Sequence, residues 1–102
     1  MMDYLKNYNI TDSQINEMVL AINQFEGLID TFKYEPEKVM NILDIFTSIG
    51  VTNIYGIIIN NPAMFADNID SIKKRIDSFE DKQDLARLLN EDPTNLSLVG
   101  LL

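Results

Sequence analysis

The chain is 102 residues long, 46% hydrophobic and 24% charged, with 8 Lys+Arg against 16 Asp+Glu and a formal net charge of −8. That length and balance predict one soluble globular domain burying roughly 65% of its unfolded surface, and exclude a disordered chain. Cysteine and histidine are both absent, which removes thiol nucleophiles, disulfides, histidine general bases and zinc sites built on nitrogen or sulfur.

In chain order, residues 1–8 show no basic stretch followed by an apolar run, so no secretory leader is read there. Thr11-Asp12-Ser13-Gln14 matches a capping box, with Thr11 as N-cap and Gln14 three residues on. Ile15, Met18, Val19, Ile22, Phe25, Ile29 and Phe32 then recur at helical spacing. Gly27 interrupts the run and marks a kink or break. Pro36 suits the first turn of a second helix, whose buried face is Val39, Ile42, Leu43, Phe46 and Ile49, and Gly50 stops it. A short third helix carries Ile54, Ile57 and Ile58 and ends before Pro62. The longest apolar run, Ile57-Ile58-Ile59, is far too short to span a membrane. A fourth helix from about Asn68, capped by Asp67, buries Ile69, Ile72, Ile76 and Phe79. Glu80 to Asp84 reads as a turn, Leu85, Leu88 and Leu89 as a fifth helix, and Asp92-Pro93 as the start of a last one carrying Leu96 and Val99. The class is all-α, with five to six helices.

The chain also repeats. At an offset of 31, Ile54, Ile57, Ile58, Pro62 and Phe65 fall on Leu85, Leu88, Leu89, Pro93 and Leu96; at 26, Pro36, Val39, Leu43 and Phe46 fall on Pro62, Phe65, Ile69 and Ile72. Periods near 30 with a helix pair per unit point to an α-solenoid-like stack with units at about 28–50, 51–80 and 81–102. Residues 46–76, from Phe46 through Gly50, Ile54, Ile57-Ile58, Asn61-Pro62 and Phe65 to Ile69–Ile76, resemble a repeat of the mitochondrial transcription termination factor (mTERF) family. That repeat reads as a leucine-rich helix end, a glycine, a short helix, a proline with a following apolar residue, and a longer helix. The stretch from Asp84 to Leu98 keeps the Pro93 element but has no glycine matching Gly50.

The resemblance implies a small right-handed helical-repeat array and, since many family members bind nucleic acid along a basic concave face, phosphate contacts from Lys73, Lys74, Arg75, Lys82 and Arg87. The residues themselves favour a blander account. Lys73 is spaced to pair with Asp70 and Asp77, and Lys74 with Asp70, as helical ion pairs. Acidic excess runs through both halves, net −5 in residues 1–50 and −3 in 51–102, and repels polyanions and anionic membranes. It serves solubility, or forms an acidic face that docks a basic partner.

No catalytic constellation emerges. The pairs Glu35/Glu37, Asp67/Asp70, Glu80/Asp81 and Glu91/Asp92 all lie at predicted helix starts or turns, where carboxylates favour the positive end of the helix dipole. Asp77 to Asp84 lacks the glycine and terminal glutamate of a calcium loop, and no glycine-rich phosphate loop is present. All five phenylalanines fall on apolar stripes or repeat positions and are expected in the core. Tyr4, Tyr8 and Tyr34 lie off the stripes, at a core edge or an interface. The C-terminal Leu96, Leu98, Val99, Leu101 and Leu102 either fold back over the fifth helix or form a docking surface, self-association included. The expectation is thus a cytoplasmic, non-catalytic binding module without cofactor or membrane span, with a protein partner ahead of nucleic acid.

Overall fold

Thr11 opens the first α-helix of the computed structural model, which describes residues 2–102, with the reciprocal capping box read from the sequence. The Gln14 N–H donates to the Thr11 hydroxyl at 3.1 Å, and the Thr11 N–H donates to Gln14 Oε1 at 3.0 Å. Helix α1 runs Asp12–Ile22. The stripe then breaks: residues 23–27 form a turn, Gly27 takes φ 78°, and α2 runs Leu28–Tyr34. Glycine is needed at 27 for its backbone alone, since nothing lies within 4 Å of where a Cβ would stand.

Pro36 occupies the first position of α3, Pro36–Ser48, where its missing N–H has no intrahelical partner to lose. The helix closes as the sequence indicates. The N–H of Val51 reaches Phe46 O and that of Gly50 reaches Thr47 O, both at 3.1 Å, a paired closure that a left-handed Gly50 at φ 108° permits. Asn53 caps α4, Ile54–Asn60, by accepting the Gly56 N–H at 3.1 Å. Helix α5, Ile69–Asp77, is capped by Asn68 rather than by Asp67: Asn68 Oδ1 accepts the Asp70 N–H at 2.8 Å. Helix α6, Lys82–Glu91, starts almost a turn earlier than its leucines indicate, because Asp81 caps it by accepting the Asp84 N–H. Residues 82–84 are therefore helix, not turn.

Three 3-10 segments complete the described residues, among which no strand occurs: Asp3–Tyr8, Pro62–Ala66 and Pro93–Val99. The last was read as a helix of unspecified kind; the first two were not anticipated as elements. A register emerges around the prolines. Helices α2, α4 and α6 end at Tyr34, Asn60 and Glu91, and after one residue each comes Pro36, Pro62 or Pro93.

Helix α3 packs against α2, α4, α5 and the Pro62–Ala66 segment, while α1 packs against α2, α4 and Pro62–Ala66. Between them lies one core in which Phe32, Phe46 and Phe65 are wholly buried. The Phe32 and Phe65 rings meet with centroids 5.1 Å apart, tilted by 59°, a geometry that adds about 0.5–1.5 kcal/mol to area burial. The N-terminal 3-10 segment closes one side of this core. Tyr4 Oη donates to Phe32 O at 2.7 Å and Tyr8 Oη to Asp44 Oδ1 at 2.8 Å. The radius of gyration, 12.7 Å, equals the roughly 13 Å expected of a compact domain of this length. No described helix is long and apolar enough to cross a membrane.

Phe79 is half-buried at the core edge, but Phe25 is not in the core at all. It is 41% exposed, because the break after α1 puts it in the 23–27 turn and swings it off the stripe that spacing assigned it to.

Candidate functional site

The five basic residues singled out in the sequence divide by what their side chains do. Lys82 turns back on the end of α5, donating to Asp77 O at 3.0 Å and to Phe79 O, and so satisfies carbonyls left open at a helix C-terminus. Arg87 bridges Asp84 at 2.5 Å and Glu91 at 3.2 Å along its own helix. These carboxylates, Asp84 first, push its pKa further up. Arg75 Nη1 donates to Gly100 O at 3.3 Å. Lys73 and Lys74 are exposed on α5. Neither forms an ion pair among the described residues, and the helical pairs with Asp70 and Asp77 that their spacing permits are not made. Among the described residues, then, two of the five cations form no ion pair or side-chain hydrogen bond.

The apolar C-terminus folds back. Leu96, Val99 and Leu101 are buried at 0%, 7% and 4% exposure, whereas Leu98 and Leu102 stand out at 53% and 57%. Three of the five leucine and valine candidates are therefore core residues and unavailable to a partner. The 3-10 segment Pro93–Val99 packs on α6 and α4, and its end is closed like that of α3: Leu101 N–H donates to Leu96 O and Gly100 N–H to Ser97 O, with Gly100 at φ 71°. Asn61 Nδ2 then donates to Leu101 O. With Arg75 on the neighbouring carbonyl, the tail is held from two elements.

Where tail and α5 face each other, a cleft of about 490 Å³ opens, lined in part by Asn61, Asn68, Ser71, Ile72, Arg75 and Leu102. It is the place where a member of the basic set and the exposed end of the leucine set come together. Its lining sets the amides of Asn61 and Asn68, the Asp67 carboxylate, the Ser71 hydroxyl and the Arg75 guanidinium over an apolar base of Ile72 and Leu101. Comparison with family models, with curated proteins and with solved structures finds no match for this chain.

Some of the carboxylates serve local structure. Asp81 and Asp92 are N-caps; Asp92 Oδ1 accepts the Thr94 hydroxyl at 2.7 Å and its N–H at 3.0 Å. Those two bonds, the hydroxyl first, hold the Asp92 carboxyl below its ordinary value. Glu35 precedes α3 without a side-chain capping bond. Among the described residues no three acidic side chains gather as a metal site would require. Of the tyrosines, Tyr4 and Tyr8 seal the core edge and Tyr34 is 73% exposed. Tyr8, partly desolvated and bonded to Asp44, is pushed up to about 12, and burial raises Tyr4 further. Tyr55 donates to Glu17, tying α4 to α1, and that bond raises its pKa.

Sequence reasoning missed the Arg75–Gly100 and Asn61–Leu101 ties and the exposure of Phe25. The first two join residues 25 and 40 apart and have no local signature. Phe25 had one: the glycine two residues later, which licensed a break rather than a continuous stripe.

Proposed function

We propose that the chain is a non-catalytic helical-repeat module that binds another protein, its units resembling mTERF repeats in a short right-handed array. The register of α2, α4 and α6 with Pro36, Pro62 and Pro93 supports the repeat reading. So does the recurrence of one packing relation: α2 lies on the Pro62–Ala66 segment as α4 lies on Pro93–Val99. The binding reading rests on Leu98 and Leu102, exposed on a tail whose other apolar residues are buried. Leucines left in water beside a polar cleft are what a protein contact would cover. The module is placed in the cytoplasm, since a chain without cysteine asks nothing of an oxidising compartment.

A second reading, nucleic-acid binding, is kept by one observation: Lys73 and Lys74 are adjacent and exposed and form no ion pair among the described residues. Net charge −8 opposes it. Affinity capture and sedimentation velocity, each run on the wild type and on Leu98→Ser/Leu102→Ser, test the main reading. A partner or self-association lost with the leucines supports it, and one retained by the variant removes the tail as the surface. Anisotropy titration with random single- and double-stranded nucleic acid tests the second. Saturable binding that weakens steeply with salt and disappears in Lys73→Glu/Lys74→Glu would replace the protein-binding reading.

A further inference from the structure

Phe25 borders a groove that nothing in the sequence announces. The turn between α1 and α2 stands against the Pro62–Ala66 segment, and between them lies a space of about 470 Å³ lined chiefly by Phe25, Leu28, Thr31, Ala63, Ala66 and Glu26. Its floor is apolar. Leu28 is nearly buried at 3% exposure while Phe25, a large aromatic, keeps 41% of its surface in water. Small side chains at 63 and 66 keep the opposite wall low, so the ring has an open space beside it rather than a neighbour.

The rim carries charge of one sign. No Lys or Arg occurs between Lys6 and Lys33 or between Lys38 and Lys73, and both walls of the groove come from those two stretches. Glu26 lines the groove and Asp30 precedes the lining residue Thr31; both are exposed. The nearest cation in sequence, Lys33, sits about 200° round α2 from Thr31 and so on the far side of the helix. An apolar trough with an acidic border selects a partner that offers the converse: an apolar anchor flanked by lysine or arginine.

We infer that this groove docks a basic amphipathic segment of another protein, with an apolar side chain laid against Phe25, Leu28 and the two alanines and its cations facing Glu26 and Asp30. The inference deepens the protein-binding reading but places the contact away from Leu98 and Leu102. Aromatic residues at the centre of a contact carry a disproportionate share of affinity, while acidic rim residues set encounter rate and choice of partner.

The test uses a fluorescein-labelled helical peptide of alternating leucine and lysine faces, and its counterpart with glutamate in place of lysine, titrated against the full chain by anisotropy at physiological salt. Binding of the lysine peptide and none of the glutamate peptide is expected. Phe25→Ala removes an exposed ring and leaves the core intact; it should weaken binding about tenfold. Glu26→Lys/Asp30→Lys should weaken it at least as much. The same charge change made elsewhere, in Asp77→Lys/Glu80→Lys, should have a clearly smaller effect, and Leu98→Ser/Leu102→Ser should have none. Amide shift changes in a labelled sample should centre on residues 24–31 and 63–66. Absence of binding overturns the inference. So does equal weakening by the two charge-reversal pairs with Phe25→Ala unaffected, which would show bulk attraction to an acidic protein. Loss of binding only in the leucine variant would return the contact to the tail, leaving the protein-binding reading standing and this groove refuted.

Discussion

Gly56 sits in the first turn of α4, where helix propensity and packing give opposite answers to one substitution. Propensity favours alanine over glycine inside a helix by about 1 kcal/mol. Packing does not. A Cβ on residue 56 would stand 2.5 Å from Pro93 Cγ and 2.7 and 2.9 Å from Asn53 Nδ2 and Cγ, distances that real Cβ atoms do not tolerate. Pro93 is a rigid ring at the start of a 3-10 segment packed on α4, so relief means pushing that segment away, an overpacking cost of about 1–3 kcal/mol. Asn53 is the N-cap of α4, and displacing its side chain weakens a cap worth about 1 kcal/mol. Set against the propensity gain, Gly56→Ala should destabilise by about 2 kcal/mol and lower Tm by about 10 °C for a domain of this size. Thermal and urea unfolding followed by helical circular dichroism read both quantities. A Gly56→Ala protein that melts at or above the wild-type temperature would refute the reasoning, because propensity alone would then govern. The pair Gly56→Ala/Pro93→Ala should be less unstable than the two single effects combined, by about 1 kcal/mol, since removing the ring removes the clash.

Asn90 clamps the loop before α4: its Oδ1 accepts the N–H groups of Thr52 at 2.8 Å and Asn53 at 3.2 Å, and its Nδ2 donates to Gly50 O at 3.2 Å. Asn90→Ala should cost about 1–3 kcal/mol and speed amide exchange at Thr52 and Asn53, measured by urea titration and hydrogen exchange. Leu96 and Leu98 are two residues apart, one fully buried and one 53% exposed; Leu96→Ala should cost about 2–5 kcal/mol and Leu98→Ala under about 0.5 in the same titration. Tyr8 is raised from 10.0 to about 12 in the folded chain, so its contribution is full below the unfolded value and is lost as pH rises from 10.0 through the folded one. Unfolding midpoints should therefore fall over that alkaline interval. Tyr8→Phe, which does not titrate, should flatten the fall, and an unchanged profile would contradict the titration of Tyr8, raised by burial and then by its bond to Asp44, as the cause.

What the sequence disclosed was mostly punctuation. Thr11 with Gln14, Pro36, Gly50 and Pro62 each act within a few residues of where they stand, so their effects can be read locally, and each does in the structure what its chemistry requires. The buried faces of α3, α4 and α5 follow from periodicity for the same reason. The failures share the opposite property. Asp3–Tyr8 is too short for a period to show, and its place depends on bonds from Tyr4 and Tyr8 to residues 28 and 36 positions away. Helix α6 opens with Lys82-Gln83-Asp84, a first turn without an apolar residue, so no stripe marks it. Phe25 was assigned by extending a period across a turn, an error of phase: once the backbone breaks, the face a residue shares with its predecessors no longer exists. Lys73 and Lys74 were assigned partners from spacing, but spacing sets reach and not occupancy, and exposed pairs of this kind gain only about 0.2–0.5 kcal/mol.

The functional question turns on the same distinction. If the proposed repeat is real, position 56 has a counterpart 31 residues on, and that counterpart is Arg87. Glycine at 56 lets Pro93 approach to contact; arginine at 87, tied to Asp84 and Glu91, fills the corresponding place on α6 with a solvated ion cluster. A further proline segment cannot pack there without displacing those charges. On the repeat reading, α6 would present there a polar surface of the kind a terminal repeat needs to stay in water. On that reading the weight of the protein-binding proposal falls on exposed apolar residues away from α6, among them Leu98 and Leu102 on the tail and Phe25 in its groove.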